Sequence, residues 1–495
     1  MKNNIGVFST HVLWPSHFET DLEIIQTEIS LGNKVIVFHC NGELNQCELI
    51  WNKAIKQKTT ITELRKETCN YCLNKQSMGF SLLQGKFSKD KLINSKETEK
   101  IYKLEDDFLT HSSKLKTLII DDQYQVGWAM MSSLVSAYRD PFIDISEYKN
   151  ELINLYQDSC RIYYSAKDYI KRYQLQKIYV FNGRLSYTKA ILEAANAMEI
   201  ECYVHERAST FSKYSLFKNH TVHNISKFTR CTLSAWELEK NIATKQKLGN
   251  QFYIDRKNNV IGSWSSFLDL QDPQILPEKW NPKDYNITLF TSSEDEFASI
   301  SSEWDNPFFK SQLEGLHYVA NIISKQRQMH LYIRVHPNTK LMSSLYIDEL
   351  KKLGFYENVS LIDFDSNISS YKLLDNSDKI ITFGSTMGME AVYWGKPSIL
   401  LGKTLYYKLK GPHIPLDIND VESLILNKKL STSISDDAIK FGYFLKTFGV
   451  NYKYYNAIDY KSGKFRGIDL NKIPGVKPNI IIRILNKLKK YLNSN

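Results

Sequence analysis

The sequence is poor in the residues that interrupt or staple a chain. Its 495 residues include only 12 prolines, 21 glycines and seven cysteines. So little proline and glycine excludes collagen-like and low-complexity chains. An odd count of seven cysteines, thinly spread, excludes a small disulfide scaffold. No apolar run approaches the ~20 residues that span a bilayer. Neither charge dominates: 64 Lys+Arg against 54 Asp+Glu leave +10. That mild surplus suits an anionic ligand or an anionic membrane surface. There is no zinc-finger helix, RRM aromatic motif or long basic arm, so no nucleic-acid partner is expected. What is present is ordinary globular material, 42% hydrophobic and 13% aromatic, long enough for two large domains. Met1-Lys2-Asn3-Asn4-Ile5-Gly6 lacks the apolar core of a secretion signal, so a cytoplasmic protein is expected.

Short β-branched runs alternate with helical stretches, which predicts α/β domains with parallel sheets. Ile5–Phe8 reads as a strand, Glu19–Leu31 as a helix stopped by Gly32, and Lys34–His39 as the next strand. Residues 73–116, rich in Lys, Glu, Asp and Ser, read as a helical insertion or surface loop. Strands are expected at Thr117–Ile120, Lys177–Phe181 and Glu201–Val204, with a helix over Tyr187–Met198. Pro273, Pro277 and Pro282 mark a boundary near 280. A second series follows: strands at Asn286–Phe290, His330–Val335, Val359–Ile362, Lys379–Phe383 and Ser398–Leu401, with helices over Phe309–Ser324 and from Ser385. This predicts two Rossmann-like halves facing across a cleft, residues 1–280 and 281–470.

Four places carry candidate chemistry. After the Lys379–Phe383 strand, Gly384 lets backbone approach a ligand, and Ser385 and Thr386 open a helix whose N–H groups suit a phosphate. Glu390, one turn in, is placed to accept from ribose hydroxyls. Plain N-capping by Ser385 and Thr386, with Glu390 solvated or paired, explains the same residues. Arg334-Val335-His336-Pro337 ends another strand; His336 is placed to donate to a phosphate or protonate a leaving one, or simply to cap the core. Ser292-Ser293-Glu294-Asp295-Glu296 follows the first strand of the second half. Three adjacent carboxylates repel one another and are costly unless solvated or used, so one is a candidate nucleophile or base; an acidic N-cap is the structural alternative. Asn182-Gly183-Arg184 and His205-Glu206-Arg207 end strands of the first half. Either arginine suits a carboxylate or phosphate, and Glu206 suits a general base; an ion-pair network between the halves is the alternative.

Together these sets resemble the donor half of bacterial capsule and surface-polysaccharide glycosyltransferases. The resemblance runs through Ser292–Phe297, Arg334–Pro337, and Phe383–Thr386 through Glu390-Ala391 to Tyr393-Trp394-Gly395-Lys396-Pro397-Ser398. The His-Pro and Ser-Thr pair looks like the CMP-recognition elements of sialyltransferases and Kdo transferases with the two-Rossmann GT-B fold. The resemblance implies that His336, Ser385 and Thr386 hold the CMP phosphate and Glu390 the ribose. Likeness to retaining β-Kdo transferases implies that Asp295 attacks the sugar, with Glu206 as companion. It implies a nucleotide-sugar donor, best CMP-Kdo, and a glycan or glycolipid acceptor, with no cofactor or divalent metal required. CMP-sialic acid or a UDP- or GDP-sugar is the alternative donor. A non-catalytic glycan-binding or scaffold subunit is the alternative of another class.

Cys40, Cys47, Cys69 and Cys72, with one C-x2-C spacing, are expected either as a structural zinc set or as free thiols. In 471–495, Ile481, Ile484, Leu485, Leu488 and Leu492 share a helical face with Lys487, Lys489 and Lys490 interleaved. This basic amphipathic helix is expected to pack on its own domain or to lie on the inner face of the membrane.

Overall fold

The computed structural model describes residues 2–260, 271–433, 435–459 and 461–472. The amphipathic helix expected in 471–495 lies outside the described residues from 473 onward.

The first half is built on strands β1 (Asn4–Ser9), β2 (Lys34–His39), β3 (Ser88–Lys91), β4 (Lys177–Phe181), β5 (Glu201–Arg207) and β6 (Lys213–Lys218). Its helices are α1 (His17–Ser30), α2 (Glu48–Gln57), α3 (Ile61–Ser81), α4 (Val126–Tyr138), α5 (Lys149–Arg172), α6 (Ser186–Ala197), α7 (Ile225–Leu238) and α8 (Ile242–Lys257). The second half carries β7 (Tyr285–Phe290), α9 (Gln312–Ser324), β8 (Met329–Arg334), β9 (Val359–Ile362), β10 (Lys379–Thr382), α10 (Met387–Tyr393) and β11 (Ser398–Leu400). Helix α11 (Asp437–Thr447) and strand β12 (Val450–Asn451) follow.

The sheet orders are β12-β6-β5-β4-β1-β2-β3 and β11-β10-β7-β8-β9. Strands β1 to β5 pair in parallel, as do all five of the second sheet. The chain therefore adopts the expected α/β architecture of two Rossmann-like halves. Central strands β1, β8 and β10 are buried along almost their whole length, as parallel strands covered on both faces must be.

Three expectations need correction. First, 73–116 is not a simple insertion: α3 starts at Ile61, after a capping box made by Thr60 and Glu63, and Ser88–Lys91 adds an edge strand beside β2. That strand reads Ser-Lys-Asp-Lys and is largely exposed, so it carries no apolar pattern to betray it. Second, Thr117–Ile120 is not a strand. Thr117 caps the short helix Ser112–Lys116, and Ile120 makes one antiparallel bridge to Tyr124 around Asp121 and Asp122, both at positive φ. Third, the second half does not run to residue 470. Helix α11 packs on α8, β12 pairs antiparallel with β6, and Glu23 of α1 accepts the backbone N–H groups of Lys453, Tyr454 and Tyr455. Residues 437–455 thus return to the first half and tie the two together. Among the described residues no helix is long and apolar enough to cross a membrane.

Candidate functional site

Because the strands are parallel, the residues that follow them gather at one edge of each sheet. In the second sheet β7 lies between β10 and β8. Ser292 and Asp295 after β7, His336 after β8 and Gly384 after β10 therefore share one rim. Two strand spacings separate the Gly384 turn from His336, about 10 Å. The Gly384 backbone, at φ +136°, comes so close to its neighbours that a Cβ there would lie 3.3 Å from Ser292 Oγ and 2.9 Å from the Lys403 carbonyl oxygen. Ser292 Oγ is buried without a hydrogen-bond partner, the kind of atom a ligand satisfies. The rest of Ser292 is fixed by Gln312, whose side chain accepts its N–H at 2.8 Å and donates to its carbonyl at 3.0 Å.

The acid triplet divides its labour. Asp295 is buried; Ser293 Oγ donates to it at 2.6 Å, and Arg139 Nε forms an ion pair with its other oxygen at 2.7 Å. Burial pushes the Asp295 carboxyl up, and Arg139 opposes that shift. Glu294 instead receives the backbone N–H of Gln312 at 2.7 Å and the Tyr346 hydroxyl at 3.0 Å, so it caps α9; burial raises its carboxyl to about 7. Glu296 accepts from Asn338 Nδ2 at 3.0 Å and lies 3.6 Å from Arg139 Nη2.

His336 is held by its backbone, which donates to Thr291 Oγ1 at 2.9 Å. Its Nδ1 accepts the Asn338 N–H at 3.2 Å, which assigns the proton to Nε2. Burial lowers its pKa to about 4, so the ring is neutral near pH 7. It can donate to a phosphate through Nε2 but holds no spare proton there for a leaving group.

The first half supplies the opposite wall. Asn182 follows β4 at φ +60° and donates to Glu206 Oε2 at 3.0 Å. Arg184 reaches across, donating from Nη1 to the Glu296 carbonyl at 3.2 Å and from Nη2 to Ser136 Oγ at 3.2 Å. Its Nε is buried without a hydrogen-bond partner, and its charge acts on Glu206 and Asp295 as well as Glu296. The structure thus brings Asp295, Glu206, His336 and Arg184 to one cleft. Arg207 ends β5 with its charge facing His17.

Other expected residues serve the scaffold. Arg334 is buried and donates to the carbonyls of Asp363 and Ser366, the latter at 3.0 Å. Glu390 is fully buried and already holds Arg256 Nε at 2.9 Å, Thr386 Oγ1 at 3.0 Å and the Tyr371 hydroxyl. Its place as a ribose acceptor is therefore taken by these partners. Ser385 gives its carbonyl to Tyr406 and its Oγ to the Met387 N–H, and Thr386 also accepts from Arg256 Nη2 at 3.2 Å. Cys40, Cys47, Cys69 and Cys72 line one cavity of about 30 Å³, and burial raises all four thiols. Among the described residues no group of three or more His, Cys, Asp or Glu is placed to hold a metal ion, so the zinc expectation finds no ligand set.

Sequence reasoning missed Arg139 and a histidine cluster beside Glu206. His11 pairs with Glu48 at 2.8 Å and His205 with Asp21 at 2.8 Å. His17 packs tilted against Phe181, ring centroids 3.8 Å apart, and lies 3.8 Å from Glu206 Oε1; burial, then Arg207, keep its pKa well below the usual value. Thr10-His11 directly after β1 was a legible signal, since β1 adjoins β4 where the strand order reverses.

Residues 304–454 match the family described as capsule polysaccharide biosynthesis protein. No curated protein matches the sequence. Among solved structures, the chain is similar to the β-Kdo 2,4 transferase of Thermosulfurimonas dismutans KpsC, at 14% identity over 54% of this chain and 87% of that one, with TM-score 0.34. It is similar to the β-Kdo 2,7 transferase of the same KpsC, at 12% identity over 62% and 86%, with TM-score 0.32. It is also similar to MnaA of S. aureus solved with UDP, at 12% identity over 91% and 93%, with TM-score 0.28.

Proposed function

We propose that this chain is a glycosyltransferase that moves a sugar, best Kdo from CMP-Kdo, onto a bacterial surface polysaccharide or glycolipid with retention of configuration. The single observation carrying the reading is a buried carboxylate, Asp295, paired with Arg139 across the cleft and facing the Arg184–Glu206 wall. The match of residues 304–454 to capsule polysaccharide biosynthesis proteins supports the surface-glycan assignment. The cytidine and Kdo assignments rest on the His-Pro and Ser-Thr resemblance.

In this scheme the phosphate lies on the rim between Gly384 and His336, where Ser292 Oγ and His336 Nε2 donate to it. Asp295 attacks the anomeric carbon. The carbon–oxygen bond to phosphate breaks, its electron pair leaving with CMP. The acceptor hydroxyl then attacks the glycosyl ester, its proton passing to Glu206 and the ester electron pair returning to Asp295. Two inversions give net retention. The chain works on the cytoplasmic side of the membrane, where nucleotide sugars are made.

Thermal-shift and calorimetric screening against CMP, CDP, UDP and GDP tests the donor. CMP should bind tightest and stabilise the second half. A preference for UDP or GDP would overturn the cytidine assignment.

A further inference from the structure

We propose that Arg139 is the receptor for the carboxylate of an anionic donor sugar, and that this contact releases Asp295 for attack. The inference rests on the glycosyltransferase reading and names the substrate class that the site selects.

Arg139 is the C-cap of α4, in the left-handed conformation in which helices commonly end, φ +58°, and there the chain turns out of the helix. It aims across the cleft, with Nε 2.7 Å from Asp295 and Nη2 3.6 Å from Glu296. The exposures are unequal: the Asp295 side chain is 1% exposed and that of Arg139 29%. The member of the pair open to a ligand is therefore Arg139, whose Nε and Nη2 are buried against the two acids and whose remaining side chain is exposed. Arg184 stands in the same cleft, near enough that the two positive charges repel, and its buried Nε has no hydrogen-bond partner. Two guanidinium groups with spare donors favour an incoming anion, and a planar carboxylate matches the arginine fork.

The exchange solves a chemical conflict. A carboxylate buried without a cation takes up a proton, so Asp295 needs Arg139 to stay charged. A carboxylate held by arginine is a blunted nucleophile. A sugar bearing its own carboxylate next to the anomeric carbon can share Arg139, drawing the guanidinium partly off Asp295 while that cation and Arg184 stay close enough to keep Asp295 charged at the reacting carbon. A neutral hexose offers no such trade. Besides Arg139, Asp295 is faced by Arg184 after β4, by His336 after β8, by Tyr346 and by Glu294 and Glu296 of its own turn.

The test is equilibrium binding of CMP and of CMP-Kdo, in the absence of acceptor, to the full chain and to R139Q and R139K. CMP should bind all three alike. The added affinity of CMP-Kdo over CMP should fall by about ten- to hundredfold in R139Q and be partly kept in R139K. The acid limb of the pH–rate profile should also move to higher pH in R139Q, because the cation that opposes Asp295 protonation is gone; a merely structural loss would not move it. If R139Q keeps the whole gain of CMP-Kdo over CMP, or wild type shows no such gain while binding CMP, the inference falls and the nucleotide reading stands. If wild type binds neither ligand, the reading itself falls and takes the inference with it.

Discussion

Replacing Gly384 by alanine tests the rim directly. At φ +136° an L-residue is strained by roughly 1–3 kcal/mol. The new Cβ would also stand 2.9 Å from the Lys403 carbonyl oxygen, a backbone atom that cannot swing aside, and 3.3 Å from Ser292 Oγ. Together these terms give a cost of about 2–4 kcal/mol. At 2–4 °C per kcal/mol for a unit of this size, the unfolding midpoint of the second half should fall by roughly 5–15 °C. The methyl relieves its overlap by opening the seam between Gly384 and Ser292, where the phosphate is placed. CMP affinity should therefore fall at least about tenfold, the equivalent of one lost charge-assisted hydrogen bond. Calorimetric unfolding and CMP titration on the same sample separate the two effects. An unchanged midpoint would refute the close approach at Gly384. A lowered midpoint with unchanged CMP affinity would refute the phosphate position.

Asp295→Asn should lower turnover by roughly a thousandfold or more while the far-ultraviolet dichroism stays that of wild type, since a neutral amide cannot form the glycosyl ester; release of CMP from labelled donor reads it. Glu294 holds its proton in the folded chain up to about pH 7, against an ordinary value of 4.5. Because the raised value means the folded state binds more protons than the unfolded one, stability falls as pH rises between 4.5 and 7, by roughly 3 kcal/mol. Glu294→Gln should flatten that part of the stability–pH curve, and a parallel curve in denaturant titrations would count against it. His336→Ala should weaken CMP binding by about tenfold. The loss should be equal at pH 6 and pH 8, because the ring is neutral at both with its pKa near 4; a loss confined to pH 6 would mean a cationic ring.

The sequence revealed what apolar patterning controls. Strands β2 and β9 fall where their β-branched runs place them, and Gly32 stops α1 as its φ of +81° allows. It hid what tertiary pairing controls. Strand β3 has no apolar face, and β12 is two exposed residues whose only strand signal is the partner β6. Within the site, residues at or just past strand ends were legible because parallel topology collects them: Asp295, His336, Arg184 and, near the end of β5, Glu206. Arg139 follows a helix instead. Its one clue was Arg139-Asp140-Pro141, where proline marks the helix stop and so puts the arginine in a loop. The sequence leaves Glu390 either a ribose acceptor or a solvated or paired carboxylate, because its partners, Arg256 and Tyr371, are not its sequence neighbours and nothing local foretells a fully buried ion pair.

The most direct measurement is intact-mass analysis of the full chain incubated with CMP-Kdo and no acceptor, followed by peptide mapping. The account predicts the mass of one Kdo residue added, carried by the peptide that contains Asp295, absent in Asp295→Asn and discharged when acceptor is supplied. A sugar mapped to a different side chain, or a transfer product of inverted anomeric configuration, would contradict it.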